Sequence, residues 1–221
     1  MDTPTNELPL GRFLYEPAPN MPPNVTAGVV LRSGIHGNVT GVSFRPAGTH
    51  SEREVHLNRE LLRHALGGDR YGMLRQVHGT AVWERCSGIG DPTGPVRSNG
   101  AGGDATGAVS SNGAGGDATG LVSSSGAARV PWEEIPAGDA HWTRERGGVL
   151  TVSVADCCPV LMSDPGGTVV MAVHAGWRGA ADGVVPAAIA DLGRAGVRPG
   201  ELVVWVGPCA GADRYEVGPE V

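Results

Sequence analysis

The sequence has few cysteines, no excess of basic residues and no long hydrophobic run. Only four cysteines occur among its 221 residues, at positions 86, 157, 158 and 209. Two of them are adjacent and the other two are far apart, so a disulfide framework is not expected and a reducing compartment is indicated. The net charge of −6 and the pI near 5.6 argue against a nucleic-acid partner, because such proteins usually carry a basic patch.

Nothing in the sequence indicates insertion into a membrane. No hydrophobic run approaches the roughly 20 apolar residues that span a bilayer. The first residues also lack the basic and apolar regions of a secretory signal, so we expect a cytoplasmic protein without a membrane partner. With 221 residues, of which 40% are hydrophobic, the chain is long enough for one domain with a sizeable core.

Two segments are expected to lie outside that core. Residues 1–23 contain six prolines, which disfavour helix and central strand and predict an extended, mobile N-terminal arm before a domain at 24–221. Further along, a tandem repeat at 98–110 and 111–123 differs only at Ala108 and Leu121. Two Gly-Gly-Asp copies are too few for a calcium-binding solenoid, so we predict a flexible Gly/Ser-rich insertion at about 87–130.

Apolar periodicity and turn residues predict the elements of the domain. Ser51 and Glu54 form a capping box that begins a helix, and a glycine pair ends it. Residues 180–192 predict a second helix, with Pro186 in its first turn or at a kink. A Pro-Gly-Gly turn lies between the strands predicted at 159–163 and 168–173. Strands are predicted at 73–78, 148–154, 159–163, 168–173 and 202–206.

Each of three residues stands at the end of a predicted strand, inside a dense motif: His78 and Cys157 follow runs of alternating apolar and polar residues, and His174 closes a continuous apolar run. Two imidazoles and a thiolate are good zinc ligands, and three protein ligands leave a fourth position open, as in catalytic zinc sites. The spacing alone does not prove a site, because the ligands are far apart and no Cys-x-x-Cys or His-x-x-x-His pair is present. Whether Cys157 and His174 meet depends on how the strands pair.

An anion site is expected beside these three residues. Gly176, Trp177 and Arg178 lie between a strand and a predicted helix, whose first N–H groups and dipole favour an anion. The planar guanidinium of Arg178 suits phosphate, although an ion pair with Asp182 is the alternative. Trp177 either stacks on a base or anchors the turn by packing.

Three further residues are candidates for the site, and one of two adjacent cysteines must be chosen as the metal ligand. Asp156 either orients a ligating imidazole or acts as a general base. Cys209 either lines the pocket or is a buried core cysteine, and Gln76 is a candidate for substrate contact. Only one of Cys157 and Cys158 can face the site, because successive side chains of a strand point to opposite faces.

Four motifs in this order resemble the YfiH-type laccase-domain family, over about residues 41–221. They are Gln76-Val77-His78-Gly79, Ala155-Asp156-Cys157-Cys158-Pro159-Val160-Leu161, His174-Ala175-Gly176-Trp177-Arg178-Gly179, and Gly207-Pro208-Cys209-Ala210-Gly211 followed by Tyr215-Glu216-Val217-Gly218. The resemblance implies an α/β sandwich in which helices flank mixed β-sheets. It also carries metal ligands onto His78, Cys157 and His174, and so selects Cys157 over Cys158.

The resemblance further implies an activity. Members of this family are described as zinc-dependent purine nucleoside phosphorylases with adenosine deaminase and methylthioadenosine phosphorylase activity. Phosphate held at Arg178 would then attack the ribose of a nucleoside such as adenosine or inosine, giving the free base and ribose 1-phosphate. Two alternatives stay open: a copper-dependent polyphenol oxidase, after the family's older name, and a hydrolase of peptidoglycan precursors with Cys157 as nucleophile.

Some features of the chain depart from these expectations. Copper clusters of that kind need many histidines, whereas only His78 and His174 of the seven histidines lie in the motifs. The His-x-Glu and Pro-Cys-x-x-Cys signature of the classical zinc deaminases is lacking, so a deaminase would need a different constellation. Family chains continue beyond the Tyr-Glu-Val-Gly motif, and we therefore expect a chain that is truncated at its C-terminus. The sequence leaves the oligomeric state open.

Overall fold

Strands make up most of the regular elements in the described part of the chain. The structure, a computed structural model, describes residues 15–31, 52–68, 70–85, 96–98 and 135–219. The helices are α1 (Glu52–Ala65), α2 (Trp177–Ala181) and α3 (Val184–Arg194). The strands are β1 (Tyr15–Pro17), β2 (Gly28–Val30), β3 (Arg70–Gly72), β4 (Val82–Arg85), β5 (Val96–Ser98), β6 (Ala140–Thr143), β7 (Gly148–Leu150), β8 (Cys158–Ser163), β9 (Val170–Ala175) and β10 (Val203–Val206). Within these ranges, no helix has the length and apolar character needed to cross a membrane.

Six strands form the main sheet, in the order β10-β8-β9-β6-β4-β5. β4 and β6 run parallel, and the other neighbouring pairs are antiparallel. The predicted turn closes the β8–β9 hairpin, where the Asp164 carboxylate accepts the backbone N–H groups of Thr168 and Val169 at 2.7 and 2.8 Å. The mixed α/β architecture predicted from the sequence is confirmed.

Helix α3 covers one face of this sheet. Val184, Ala188 and Leu192 recur at helical spacing and are fully buried against residues of β6, β8 and β9. The indole Nε1 of Trp142, on β6, donates a hydrogen bond to the buried Asp191 carboxylate of α3 at 2.7 Å. The largest side chain of this core therefore has its one polar atom satisfied, which removes the cost of burying it.

A second, smaller apolar cluster surrounds the parallel pair β3–β7. Leu62 of α1 packs there with Tyr71 and Val149, and residues of the β1–β2 ribbon lie against the same cluster. The hydroxyl of Thr151 donates to the phenol oxygen of Tyr71 at 2.9 Å. The helix α1 thus contributes to the domain through its apolar stripe, as its periodicity predicted.

The predicted helices form, with one interruption. Helix α1 covers 52–65, whereas Ser51 of its capping box lies outside the described residues. The predicted helix at 180–192 is wrong in its start, because α2 begins earlier and α3 begins anew at Val184. The break falls at Gly183, whose φ of 91° does not fit a right-handed helix. Pro186 lies in the first turn of α3, which is the position that a proline tolerates.

Two predicted strands are wrong in their extent, while those at 159–163, 168–173 and 202–206 form within two residues of their predicted bounds. Residues 73–78 contain no strand, only an isolated bridge between Arg75 and Ala137, and the strand at 148–154 stops at Leu150. In both segments side chains provide part of the backbone hydrogen bonding, although Arg75 and Thr151 keep backbone partners. The amide of Gln76 accepts the Ser153 N–H at 2.9 Å and donates to the Ser153 carbonyl at 2.8 Å.

Two segments predicted to be irregular contain short strands. Tyr15–Pro17, inside the predicted arm, pairs with Gly28–Val30 in an antiparallel ladder that fixes these residues. Val96–Ser98, inside the predicted insertion, pairs with β4. The tandem repeat after Ser98 lies outside the described residues, so its predicted flexibility stays a prediction.

Replacing Leu192 by alanine should lower the free energy of unfolding by about 2–5 kcal/mol, because the fully buried side chain leaves a cavity beneath α3. Leu57→Ala in α1 is the matched control, since that leucine is 46% exposed and its loss should change stability by about 0.5 kcal/mol or less. Urea unfolding followed by circular dichroism measures both values. Equal losses in the two variants would contradict the assignment of the core.

Candidate metal centre

The three ligands predicted from the sequence lie together in the structure. Ligand atoms of His78, Cys157 and His174 all lie within 4.8 Å of one another. The two imidazole rings meet edge to face, with centroids 4.8 Å apart and an interplanar angle of 80°. Two imidazoles and one thiol converging in this way can hold a metal ion such as zinc.

The β8–β9 pairing brings Cys157 and His174 to the same end of the main sheet. Cys158 pairs with Ala175 and Pro159 pairs with His174, so the residue before β8 arrives beside the end of β9. The sequence alone did not settle this contact. Because the chain alternates faces, Cys157 points to the histidines whereas Cys158 packs against the apolar core.

His78 reaches the cluster from an irregular loop and not from a strand. Its φ of 59° lies in the left-handed region, which costs a residue other than glycine of order 1–3 kcal/mol. The carboxylate of Asp139 compensates by accepting three consecutive backbone N–H groups, those of Val77 at 3.2 Å, His78 at 3.0 Å and Gly79 at 2.7 Å. One buried side chain therefore determines the path of this loop.

The same carboxylate orients the second histidine. An Asp139 oxygen lies 2.8 Å from Nδ1 of His174, and the two side chains are 0% and 3% exposed. An imidazole that donates from Nδ1 leaves the lone pair of Nε2 free to bind a metal ion. Carboxylates that accept the other ring N–H of metal-binding histidines orient the ring in this way. Burial alone would raise the pKa of Asp139, but the bonds from His174 and from the loop N–H groups outweigh it and lower that pKa below its ordinary value.

Sequence reasoning missed Asp139 and assigned its possible role to Asp156. The carboxylate of Asp156 is exposed, and within the described ranges it forms no hydrogen bond with an imidazole. A signal for Asp139 was present, since Gly138-Asp139-Ala140 is a polar interruption directly before a strand of buried residues. A buried aspartate at such a position needs several donors, and loop N–H groups are a common source.

The thiol of Cys157 has an environment that disfavours a free thiolate. Burial, followed by the negative charges of Asp156 and Asp139, raises its pKa above the ordinary value. Reactive cysteine nucleophiles need the opposite, a pKa lowered by positive neighbours. A bound cation would reverse this effect, so the electrostatics favour a metal ligand over a nucleophile.

Two glycines allow the loop and helix α2 to approach each other closely. A Cβ atom at Gly176 would lie 2.3 Å from Nδ1 of His78 and 3.3 Å from Sγ of Cys157. A Cβ at Gly179 would lie 2.9 Å from the carbonyl oxygen of Gly79. Gly176, a predicted substrate contact, therefore has a packing role: any larger residue would displace the His78 ring.

The anion site expected beside the cluster stays a prediction, and the structure shows how its residues are arranged. Helix α2 has five residues, too few for a strong N-terminal dipole. The guanidinium of Arg178 lies over the Trp177 ring, 4.5 Å from its centroid, which gives the tryptophan a stacking role. Among the described residues, no carboxylate forms an ion pair with Arg178, so the predicted pairing with Asp182 is not formed. The guanidinium is exposed and has donors available for an anion.

The remaining candidates lie at the margin of the cluster. Gln76 uses both ends of its amide on Ser153, so it fastens the His78 loop to the 151–154 segment. Cys209 is exposed, which does not fit the core alternative. Burial, followed by the neighbouring Cys209, raises the pKa of the Cys158 thiol to about 11.

A family model described as multi-copper polyphenol oxidoreductase laccase matches residues 44–221, so the chain belongs to this laccase-domain family. Relatives in Pseudomonas aeruginosa, Streptomyces coelicolor and Escherichia coli are named purine nucleoside phosphorylase, the last with the name YfiH. They are 48%, 43% and 40% identical over 83, 93 and 83 residues, which are 38%, 41% and 38% of this chain. The matched stretches cover 33%, 38% and 33% of those relatives, so the chain aligns with little more than a third of their length.

Solved structures have the same fold. A Neisseria meningitidis protein of the DUF152 family is 26% identical with a TM-score of 0.63, over 95% of this chain and 67% of that one. The protein YlmD from Geobacillus stearothermophilus is 22% identical with a TM-score of 0.66, over 95% of this chain and 66% of that one. The family predicted from the four motifs is confirmed.

Asp139→Asn should weaken zinc binding by about 10- to 100-fold, because the amide no longer offers two charged oxygens to His174 and the loop. Asp213→Asn is the matched control, and zinc affinity should stay nearly unchanged because that carboxylate is 82% exposed and lies outside the cluster. Competition titration with a chelating dye measures both affinities. An equal loss in the two variants, or no loss in Asp139→Asn, would contradict the role assigned to Asp139.

Proposed function

We propose that the protein is a zinc-dependent purine nucleoside phosphorylase. The observation that carries the proposal is the convergence of His78, Cys157 and His174 within 4.8 Å, in a chain whose relatives bear that name. Because the matched stretches cover only about a third of those relatives, the activity of this chain is inferred from its own site.

The donor set fits zinc better than copper. Zinc accepts imidazole nitrogen and thiolate sulfur in a tetrahedral site, and catalytic sites keep the fourth position open. The second imidazole is already oriented by the Asp139 carboxylate, as in many zinc centres. In the described ranges this is the one group of three or more potential ligands, and it contains two histidines, whereas a multicopper cluster needs many more.

Arg178 is the residue proposed to bind phosphate. Its planar fork of N–H donors matches two phosphate oxygens, and stacking on Trp177 reduces the freedom that it would lose on binding. It follows Gly176 by two residues, and a Cβ atom added at Gly176 would lie 2.3 Å from Nδ1 of His78 and 3.3 Å from Sγ of Cys157. An anion on Arg178 would therefore lie beside the metal ligands.

The reaction exchanges one bond at the anomeric carbon for another. An oxygen of phosphate forms a bond to C1′ of the ribose while the bond from C1′ to the purine nitrogen breaks, and the purine leaves with the electron pair and takes up a proton. When bound, zinc supplies a Lewis acid that stabilises negative charge. Arg178 holds the phosphate, and Asp156, exposed next to Cys157, is the candidate for proton transfer.

Adenosine deamination is a second reaction proposed for the same site. Water would form a bond to the adenine ring carbon that bears the amine while the bond from that carbon to nitrogen breaks and ammonia leaves. Asp156 would take a proton from the water and pass it to the leaving ammonia, and His78, Cys157 and His174 would hold a zinc ion that supplies Lewis-acid chemistry. The classical deaminase signature is lacking, so we rank this activity below phosphorolysis.

Two alternatives receive less support. A copper-dependent polyphenol oxidase agrees with the description of the family model, but the cluster contains only two histidines. A hydrolase of peptidoglycan precursors would need Cys157 as a thiolate, whereas burial and two carboxylates raise the pKa of that thiol.

The proposal predicts about one zinc ion per chain and release of free base from adenosine and inosine that requires phosphate. His78→Ala should lose both properties. Elemental mass spectrometry measures the zinc content per chain. Chromatography measures the release of free base with and without phosphate. Equal rates of base release with and without phosphate would indicate a hydrolase instead of a phosphorylase. Oxidation of phenols that needs copper would favour the oxidase, and rapid alkylation of Cys157 in an active, metal-free protein would favour the cysteine hydrolase.

Arg178→Ala should keep its zinc and raise the KM for phosphate by about 10- to 100-fold, because it removes charge-assisted hydrogen bonds to the anion. Arg198→Ala is the matched control, since Arg198 is 79% exposed and pairs with Glu201. Initial rates at varied phosphate concentrations give both constants. An unchanged KM in Arg178→Ala would remove this residue from the phosphate site.

A further inference from the structure

Trp205, on β10, is a large aromatic side chain that belongs to neither apolar cluster. Its indole is half-buried, whereas other residues form the clusters around α3 and around β3–β7. Among the described residues its N–H has no hydrogen-bond partner, unlike the indole N–H groups of Trp83 and Trp142. A tryptophan that keeps ring surface and its polar atom accessible is suited to contact a ligand.

The strand pairing places Trp205 on the same face of the main sheet as His174. Trp205 pairs with Leu161 of β8, and Leu161 pairs with Ala172 of β9, so these three side chains point to one face. His174 follows Ala172 by two residues and therefore shares that face, because side chains alternate along a strand. Helix α3 packs against the opposite face.

The indole of Trp205 extends towards the end of the sheet that carries the metal ligands. A Cβ atom at Gly207 would lie 2.7 Å from Cη2 and Cζ3 of the indole and 2.8 Å from Cγ of Pro159. The N–H of Gly207 donates to the carbonyl of Pro159 at 2.9 Å, and Pro159 pairs with His174. The outer edge of the ring thus lies level with His174 and two strands away, which is about 10 Å at the usual spacing.

We propose that the purine base of the substrate stacks on Trp205. The inference rests on the proposed function and adds a substrate-binding residue to it. Two strand spacings are comparable with the length of a nucleoside, so a base on the indole would leave its ribose near His174 and near phosphate on Arg178.

The other tryptophan near the cluster is less suited to this role. The guanidinium of Arg178 lies over the Trp177 ring, 4.5 Å from its centroid, and so covers one face of it. Stacking on Trp205 would also accept more than one purine, because every base has a π-face. The same indole can therefore serve adenosine and inosine.

Trp205→Ala should raise the Kd for inosine by about 5- to 150-fold, the range expected for the loss of one stack between a base and an aromatic ring. Trp205→Phe should restore most of the affinity, because a phenyl ring keeps a π-face and packs on Gly207. Titration calorimetry of the zinc-loaded protein without phosphate measures this binding in the absence of phosphorolysis. In steady-state assays Trp205→Ala should raise the KM for inosine while kcat and the KM for phosphate stay nearly unchanged.

Tryptophan fluorescence provides a readout that a purely structural role would not change. A purine stacked on an indole quenches its emission, so inosine should quench the wild-type chain and the matched control Trp177→Phe, but much less the variant Trp205→Phe. Equal Kd values in the wild type and Trp205→Ala, or equal quenching in the wild type and Trp205→Phe, would overturn the inference while leaving the proposed function intact. A wild-type, zinc-loaded chain that does not bind inosine would overturn the proposed function and this inference with it.

Discussion

The candidate site depends on a single buried carboxylate. Asp139 is 0% exposed and accepts four N–H groups, three from the loop of His78 and one from the ring of His174. An unpaired buried charge would be costly, and these four donors offset that cost. The same bonds hold His78 in a left-handed conformation that it would otherwise avoid. Two potential ligands from distant parts of the chain thus share one support.

The sequence predicted the members of the cluster but not their geometry. His78, Cys157 and His174 could be named because each lies in a motif of its own, and because the resemblance to the laccase-domain family selects Cys157 over Cys158. Their meeting depends on the register of β8 and β9, which apolar periodicity does not determine. Asp139 was missed because its partners are backbone N–H groups, and these have no signature in a sequence.

The errors in the predicted strands have a common physical cause. Alternating residues at 73–78 and 151–154 predicted strands, yet at Val77, His78 and Ser153 side chains bond the backbone, whereas Arg75 and Thr151 have backbone partners. The amide of Gln76 forms hydrogen bonds with both the N–H and the carbonyl of Ser153, and the carboxylate of Asp139 accepts the N–H of His78. Periodicity reports burial and not hydrogen-bond partners, so it predicts strands where side chains have taken the place of a neighbouring strand. The strands predicted at 159–163 and 168–173 form as β8 and β9, where backbone pairing and apolar packing coincide.

The contact between Gly79 and Gly179 joins two parts of the site that have different chemistry. With no side chain on either residue, the backbone of the His78 loop lies directly against helix α2, which carries Arg178. A shift of one backbone is therefore transmitted to the other, since close-packed atoms leave no gap to absorb it. Thermodynamic linkage makes any such effect reciprocal: the factor by which an anion at Arg178 changes metal affinity is also the factor by which the metal changes anion affinity. Metal occupancy of this protein would then vary with the anion concentration around it.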